Sequence, residues 1–308
     1  MLVGTIAAAT VLTGCTPVAE GSDDFPANDI RLIIQADPGG GSDLSSRALA
    51  TELEGILGVS IIPENMPGAS GAIAMEYVRD QDPTGYVIGF SPVEIAMLNT
   101  TQGADVMPED FGFLGQIMLA PGVISVAADS PFETLQDLVD AGADAPLTVA
   151  NSGAGSIWEA ATLGINEATG AQLTPVAYDG GATAVAAAAS GEADAAVSGA
   201  GEAIGQGDAV RILGVMNDER HPDLPDVETF EEAIGEDVQF GGWGGIYTQG
   251  EVPEDVRETL EAAVAEAVES EGYTAFQENA GNLVVYRDAE EFTSFVSEQF
   301  STFQSLLG

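Results

Sequence analysis

The 308-residue chain contains no lysine, a single histidine, a single cysteine and only seven basic residues, all of them arginine. Against these seven stand 50 acidic residues, a formal net charge of −43. A field of that sign repels phosphate backbones and anionic headgroups, which excludes nucleic acid and acidic membrane surfaces as partners. Without lysine there is no G-K-[ST] after any glycine run, so a Walker-type phosphate loop is absent. The Rossmann spacing G-x-G-x-x-G fails too, because Asp43 and Leu44 interrupt the glycines at 39–41. His221 is the only histidine and no G-x-S-x-G elbow occurs, so a serine hydrolase has no machinery. A His/Cys metal site lacks ligands, and the many carboxylates show no calcium-loop spacing. One cysteine also rules out an intrachain disulfide framework. What survives is a binding protein that is not an enzyme and calls for no cofactor.

Cys15 has a better explanation in its neighbours. Residues 2–12 (LVGTIAAATVL) form a short apolar run that ends in Leu12-Thr13-Gly14-Cys15. The run is too short to stay in a bilayer as a spanning helix. It resembles a bacterial lipoprotein signal, which implies cleavage before Cys15 and lipidation of its sulfur, over residues 1–15. Residues 16–25 are small and polar and read as a tether. The expected location is extracytoplasmic, with the membrane touched through the lipid anchor alone.

The body is an α/β chain in which apolar runs alternate with amphipathic ones. Strands are expected at 31–36, 59–63, 87–90, 114–118, 123–127, 147–150, 173–177, 195–198, 211–215 and 240–248. Helices are expected from Ser42 to Leu57 (with Leu44, Ala48, Leu53, Ile56 and Leu57 inward and Gly58 as stop), and over 72–79, 156–169, 182–189, 253–270 and 289–307. The alternation argues for parallel sheets with right-handed crossovers.

Four segments repeat one design, a strand, then a Gly- or Ser-rich turn, then a helix start: 38–43, 67–71, 151–156 and 178–181. The first turn of a helix carries unpaired N–H groups and a partial positive charge, and glycine lets a ligand reach them. Several such termini facing one crevice hold an anion without lysine. Trp243, flanked by two glycines on each side, is a candidate cleft wall, while Trp158 reads as core.

The quoted residues are similar to those of one family. Ile30–Ile34 followed by Pro38-Gly39-Gly40-Gly41-Ser42-Asp43 resembles the opening of the Bug family, the extracytoplasmic receptors of tripartite tricarboxylate transporters. Further matches follow in order: Glu64–Gly71, Asp82–Tyr86, Ser152–Ser156, Tyr178–Ala182, Gly191–Asp194 and Arg220–Val227. The resemblance implies a type II periplasmic-binding-protein fold with two Rossmann-like lobes, a hinge and an interlobe cleft. It places lobe 1 at 26–124 plus 240–308 and lobe 2 at 125–239. It implies a monomer that captures a small organic carboxylate for integral membrane transporter subunits. By position, the ligand-binding candidates are Gly40, Gly41, Ser42, Asp43, Ser70, Gly71, Ser152, Gly155, Ser156, Tyr178, Gly180 and Ser198, beside Trp243. Two departures from the family pattern, Asp37 and Asp179, add negative charge beside the expected cleft. The alternatives are a receptor for a neutral or cationic solute, whose cleft would present carboxylates, and a non-transporting sensor of the same fold.

Overall fold

The computed structural model describes residues 25–308. The signal, Cys15 and tether positions 16–24 lie outside the described residues. Phe25, assigned to the tether, packs on Tyr86 with ring centroids 5.1 Å apart, so the body begins there.

The elements in chain order open with β1 (Ile30–Ile34), α1 (Gly41–Leu57), β2 (Ile61–Asn65), α2 (Ala72–Arg79), β3 (Val87–Pro92), α3 (Leu98–Gln102) and β4 (Phe111–Ala127). Next come α4 (Leu135–Asp144), β5 (Leu147–Asn151), α5 (Ile157–Thr169), β6 (Leu173–Ala177), α6 (Gly181–Ala189), β7 (Ala195–Gly199), α7 (Ala200–Ile204) and β8 (Val210–Met216). The chain closes with α8 (Phe230–Ile234), β9 (Gly241–Gln249), α9 (Glu254–Val268), α10 (Glu271–Asn279) and α11 (Ala289–Leu307).

The strands join in the order β2-β1-β3-β9-β4-β7-β5-β6, with β8 on the other edge of β4. β1 shows why its sequence is apolar except at Arg31, which pairs with Glu64 at the partly exposed position. Ile30, Leu32 and Ile34 enter the core under α1 and α9, while Ile33 enters the core on the opposite face. A strand covered on both faces needs no polar alternation. Each such side chain contributes about 1.5–3 kcal/mol by leaving water.

Three expectations need correction. First, 114–118 and 123–127 are one strand, the 17-residue β4. Pro121 reads as a break because it lacks an N–H. It falls, however, where β4 changes partners, from β9 up to Pro121 to β7 and β8 from Gly122 on. Second, the sheet is mixed: β9 runs antiparallel to β3 and β4, and β4 runs antiparallel to β7 and β8. Third, Leu44 is 45% exposed, and the inward face of α1 is made by Ser45, Ser46, Leu49, Ala50 and Leu53. The helices α3, α4, α7, α8 and α10 were also missed; α4 shows a capping box at Thr134 and Asp137.

The glycines of β9 answer to packing. A Cβ on Gly244 would meet the ring of Phe90 and the Met118 sulfur at 3.0 Å. Gly245 likewise makes room for Phe292. Close approach of large neighbours fills the space that side chains would take. Among the described residues no helix is long and apolar enough to cross a membrane.

Candidate functional site

A cavity of about 470 Å³ opens where several strands end. Its walls are Gly41 and Ser42 at the start of α1, Pro92 to Glu94 after β3, Ile157 and Trp158 at the start of α5, and Gly199 to Glu202 after β7. Gly242 and Trp243 of β9, Met118 and Ala120 of β4, and Asn282 between α10 and α11 complete it. β1, β3, β5 and β7 therefore deliver their carboxyl ends to one space, where open α/β sheets hold ligands. No Lys, Arg or His lines this cavity.

The donors come from helix ends. The cap position of α1, Gly40, supplies no side-chain bond, so the first N–H groups of a 17-residue helix lack a side-chain acceptor where Gly41 and Ser42 line the cavity. Ser42 is held there by a bond from Gln35 Nε2 to its Oγ at 3.1 Å. The starts of α2 and α6 also lack a side-chain cap, whereas that of α5 is closed. Ser156 caps α5 by accepting from the Glu159 N–H at 3.3 Å, and Glu159 accepts from the Gly155 N–H at 2.5 Å. At α6 the carboxylate of Glu202 lies where a Gly181 Cβ would be.

Of the sequence-stated candidates, Gly41, Ser42 and Trp243 line the cavity. Gly40 caps α1 beside it. Asp43 turns inward instead, 2% exposed, accepting from the Gly39 N–H at 2.9 Å, from Asn65 at 2.8 Å and from Arg47 at 2.8 Å. Ser70 accepts from Gln102 at 2.7 Å and neighbours Gly71 in the turn before α2. Ser152, Gly155, Tyr178 and Gly180 sit in the loops after β5 and β6, where the Tyr178 hydroxyl donates to Glu192 at 3.2 Å. Ser198 is fully buried and donates to the Gly199 carbonyl at 3.1 Å. Asp37 and Asp179 are exposed and outside the lining.

The sequence reading passed over Glu94, Glu202 and Asn282; Trp158 packs in the core as expected and also lines the cavity. Glu94 and Glu202 follow the carboxyl ends of β3 and β7, and that position was the available signal. Glu94 keeps some surface open to the cavity while protein surrounds its carboxyl, and this burial pushes its pKa above the ordinary carboxylate range. Burial also raises Glu202, against the pull of the Gly199 N–H donating to it at 2.9 Å. Trp243 is 3% exposed, stacked edge-on with Phe292 and Phe295, and its indole N–H has no acceptor.

A second cavity, about 800 Å³, shares Trp243 and Asn282 and reaches His221 and Arg287. There His221 is buried, accepting from the Asp223 N–H at 3.1 Å and donating through Nε2 to the Gly281 carbonyl at 3.1 Å.

This mixed α/β sheet, with a cleft at its strand ends, has the architecture of a solute-binding protein. Residues 45–307 match the model of the tripartite tricarboxylate transporter family receptor, and the chain belongs to that family. A UPF0065 protein of Agrobacterium vitis is 27% identical over 82% of this chain and 74% of its own length. The crystal structure of a TctC solute binding protein from Polaromonas superposes with a TM-score of 0.82 at 26% identity, covering 92% of this chain and 98% of that one. MatC from Rhodopseudomonas palustris, solved with bound malate, shares the fold with a TM-score of 0.76 at 24% identity, covering 92% of this chain and all (100%) of that one.

Proposed function

We propose that the protein is the receptor that captures a small organic carboxylate and presents it to the integral membrane subunits of a transporter of its family. The observation that carries this reading is the uncapped start of α1, where Gly41 and Ser42 line a cavity without any basic side chain. No arginine lines this cavity, so a carboxylate there is left to the backbone. The malate held by MatC, a protein of the same fold, agrees with a ligand of this size and chemistry. Residues 26–124 with 240–308 form one lobe and 125–239 the other, and β4 and β9 are the strands that bend as the lobes close on the ligand. Cys15 carries the lipid that keeps the receptor at the membrane.

The test is calorimetric titration of the purified protein with succinate, malate, adipate and citrate, repeated with S42D. A carboxylate at Ser42 occupies the helix end that the ligand needs, yet an acidic first turn suits the helix itself by about 0.3–1 kcal/mol. Binding should vanish while the melting temperature holds. Undiminished binding by S42D would move the ligand away from α1. Retention of a C15S variant in the membrane fraction would remove the anchor from the account.

A further inference from the structure

The two cavities lie on opposite faces of β4 and β9, with Trp243 bordering both. Ala120 and Gly242 line the first, and their chain neighbours Leu119 and Gly241 line the second, as the alternation of a strand requires. The register of β4 against β9 shifts between Gln116 and Met118. That shift turns Gln116 to the side of Leu119, although Met118 lines the first cavity.

The second cavity holds an arginine whose donors are largely unspent. Arg31, Arg47, Arg79, Arg220 and Arg257 each pair with a side-chain carboxylate. Arg211 donates to the carbonyls of Ala128 and Phe132, each at 2.9 Å. Arg287 forms no ion pair among the described residues, in a chain with 50 acids. Its guanidinium lies over the Phe295 ring, 4.3 Å from the centroid, and donates through Nη1 to Gln116 Oε1. Gln116 is fully buried, and its Nε2 is committed to the Met118 carbonyl at 3.1 Å, so its oxygen is fixed towards the arginine. These two contacts set the guanidinium plane. Most of its five N–H groups are left without an acceptor among the described residues. A planar fork held in place beside a cavity suits a carboxylate, which it can grip with two parallel bonds.

The rest of the lining narrows the ligand. Leu119, Phe240, Leu283, Val284 and Phe295 give the cavity apolar walls. His221 spends both ring nitrogens on the Gly281 carbonyl and the Asp223 N–H. The other charged residues of the lining are Asp218, Glu219, Asp223 and Glu278, and they repel a second negative charge. We propose that this cavity is a second binding site, separate from the cleft, for a monocarboxylate with an apolar body, a medium-chain or arylalkyl acid. The carboxylate pairs with Arg287 and the body lies on the apolar walls. The site is independent of the receptor reading, because it shares neither Ser42 nor the start of α1.

Hexanoate, adipate and hexanamide are titrated calorimetrically into the wild type, S42D, R287Q and T274W. Hexanoate should bind the wild type and S42D alike, since Ser42 lines only the first cavity. In S42D, adipate should bind more weakly than hexanoate. R287Q should lose about tenfold or more in hexanoate affinity, the span of a charge-assisted hydrogen bond. Hexanamide, which carries no charge, should not distinguish R287Q from the wild type. Thr274 lines the second cavity from α10. Tryptophan there fills the space, leaves the Arg287–Gln116 pair in place and should abolish hexanoate binding, which decides the matter if R287Q fails to fold. Absence of hexanoate binding by the wild type overturns the site. Loss of hexanoate in S42D with R287Q unaltered places the acid in the cleft and overturns it too. An R287Q protein that melts lower yet keeps its hexanoate affinity makes Arg287 a brace for the irregular stretch of β4 and nothing more.

Discussion

Replacing Asp43 with Asn tests whether this residue touches ligand or braces the loop that does. Its Oδ2 accepts from the Gly39 N–H at 2.9 Å, and its Oδ1 accepts from Arg47 Nε and Asn65 Nδ2, both at 2.8 Å. Asn65 also donates to the Ala36 carbonyl at 2.9 Å and accepts from Arg47 at 2.8 Å, so one network ties β1, α1 and β2 together. In D43N one oxygen becomes an NH₂ that faces a donor. Breaking a buried pair costs about 3–5 kcal/mol when both partners are dry. The Asp43 side chain is 3% exposed, but that of Arg47 is 44% exposed and recovers water, which lowers the expected loss to roughly 2–3 kcal/mol. Urea denaturation at neutral pH measures it. Burial alone would raise the Asp43 pKa; the bonds from Gly39, Asn65 and Arg47 outweigh it and the net shift is downward. A lowered folded pKa contributes stability that is complete above the ordinary carboxylate value and is lost as pH falls through the folded one. The gap between wild type and D43N should therefore be full at pH 7 and close well below about pH 4. Equal midpoints at pH 7, or a gap that persists undiminished in acid, would refute the bracing role. So would a D43N protein of unchanged stability that loses its ligand.

Three further outcomes are expected. E94Q and E202Q should each stabilise the ligand-free protein at pH 7 by about 0.5–2 kcal/mol, as relief of a strained functional site does. Because burial raises both folded pKa values, the wild type regains this stability as pH falls through them, and the advantage of Gln should shrink to nothing below the ordinary carboxylate range. G201A drives a methyl into the Ala280 carbonyl, with the Gly281 Cα at 3.6 Å, at the cavity wall; it should cost about 1–3 kcal/mol in thermal unfolding and weaken ligand binding. S156A removes the α5 cap and should cost about 1 kcal/mol while affinity stays within a factor of two or so; a larger loss of affinity would place Ser156 against the ligand.

The elements that were readable in advance share a local cause. β6 and α11 have the bounds expected of them, and Gly58 ends α1 in the left-handed conformation with φ 69°. Apolar runs, cap residues and obligate glycines act within a few residues of themselves. The errors share the opposite cause. Pro121 looks like a strand break until the partner strands of β4 are known. Leu44 follows the apolar period, but the space beside the first turn of α1 is taken by the Asp43 network, and Leu44 faces out. The four turns look alike on paper. Only their neighbours show that Ser156 and Glu159 take up donors at the start of α5, while the start of α1 meets no side-chain acceptor.

By itself the sequence determined the α/β alternation, the absence of lysine chemistry, and four helix-start turns as candidates for an anion site. These follow from residue types and short-range spacing. The tertiary structure alone decided which helix end stays free, because a donor is open only if no distant acceptor reaches it. It alone brought Glu94 and Glu202 to one cavity, from strands β3 and β7 that lie over a hundred residues apart along the chain. Among 50 acids nothing local distinguishes those two. What distinguishes them is burial without a partner, and burial is a property of the packed chain.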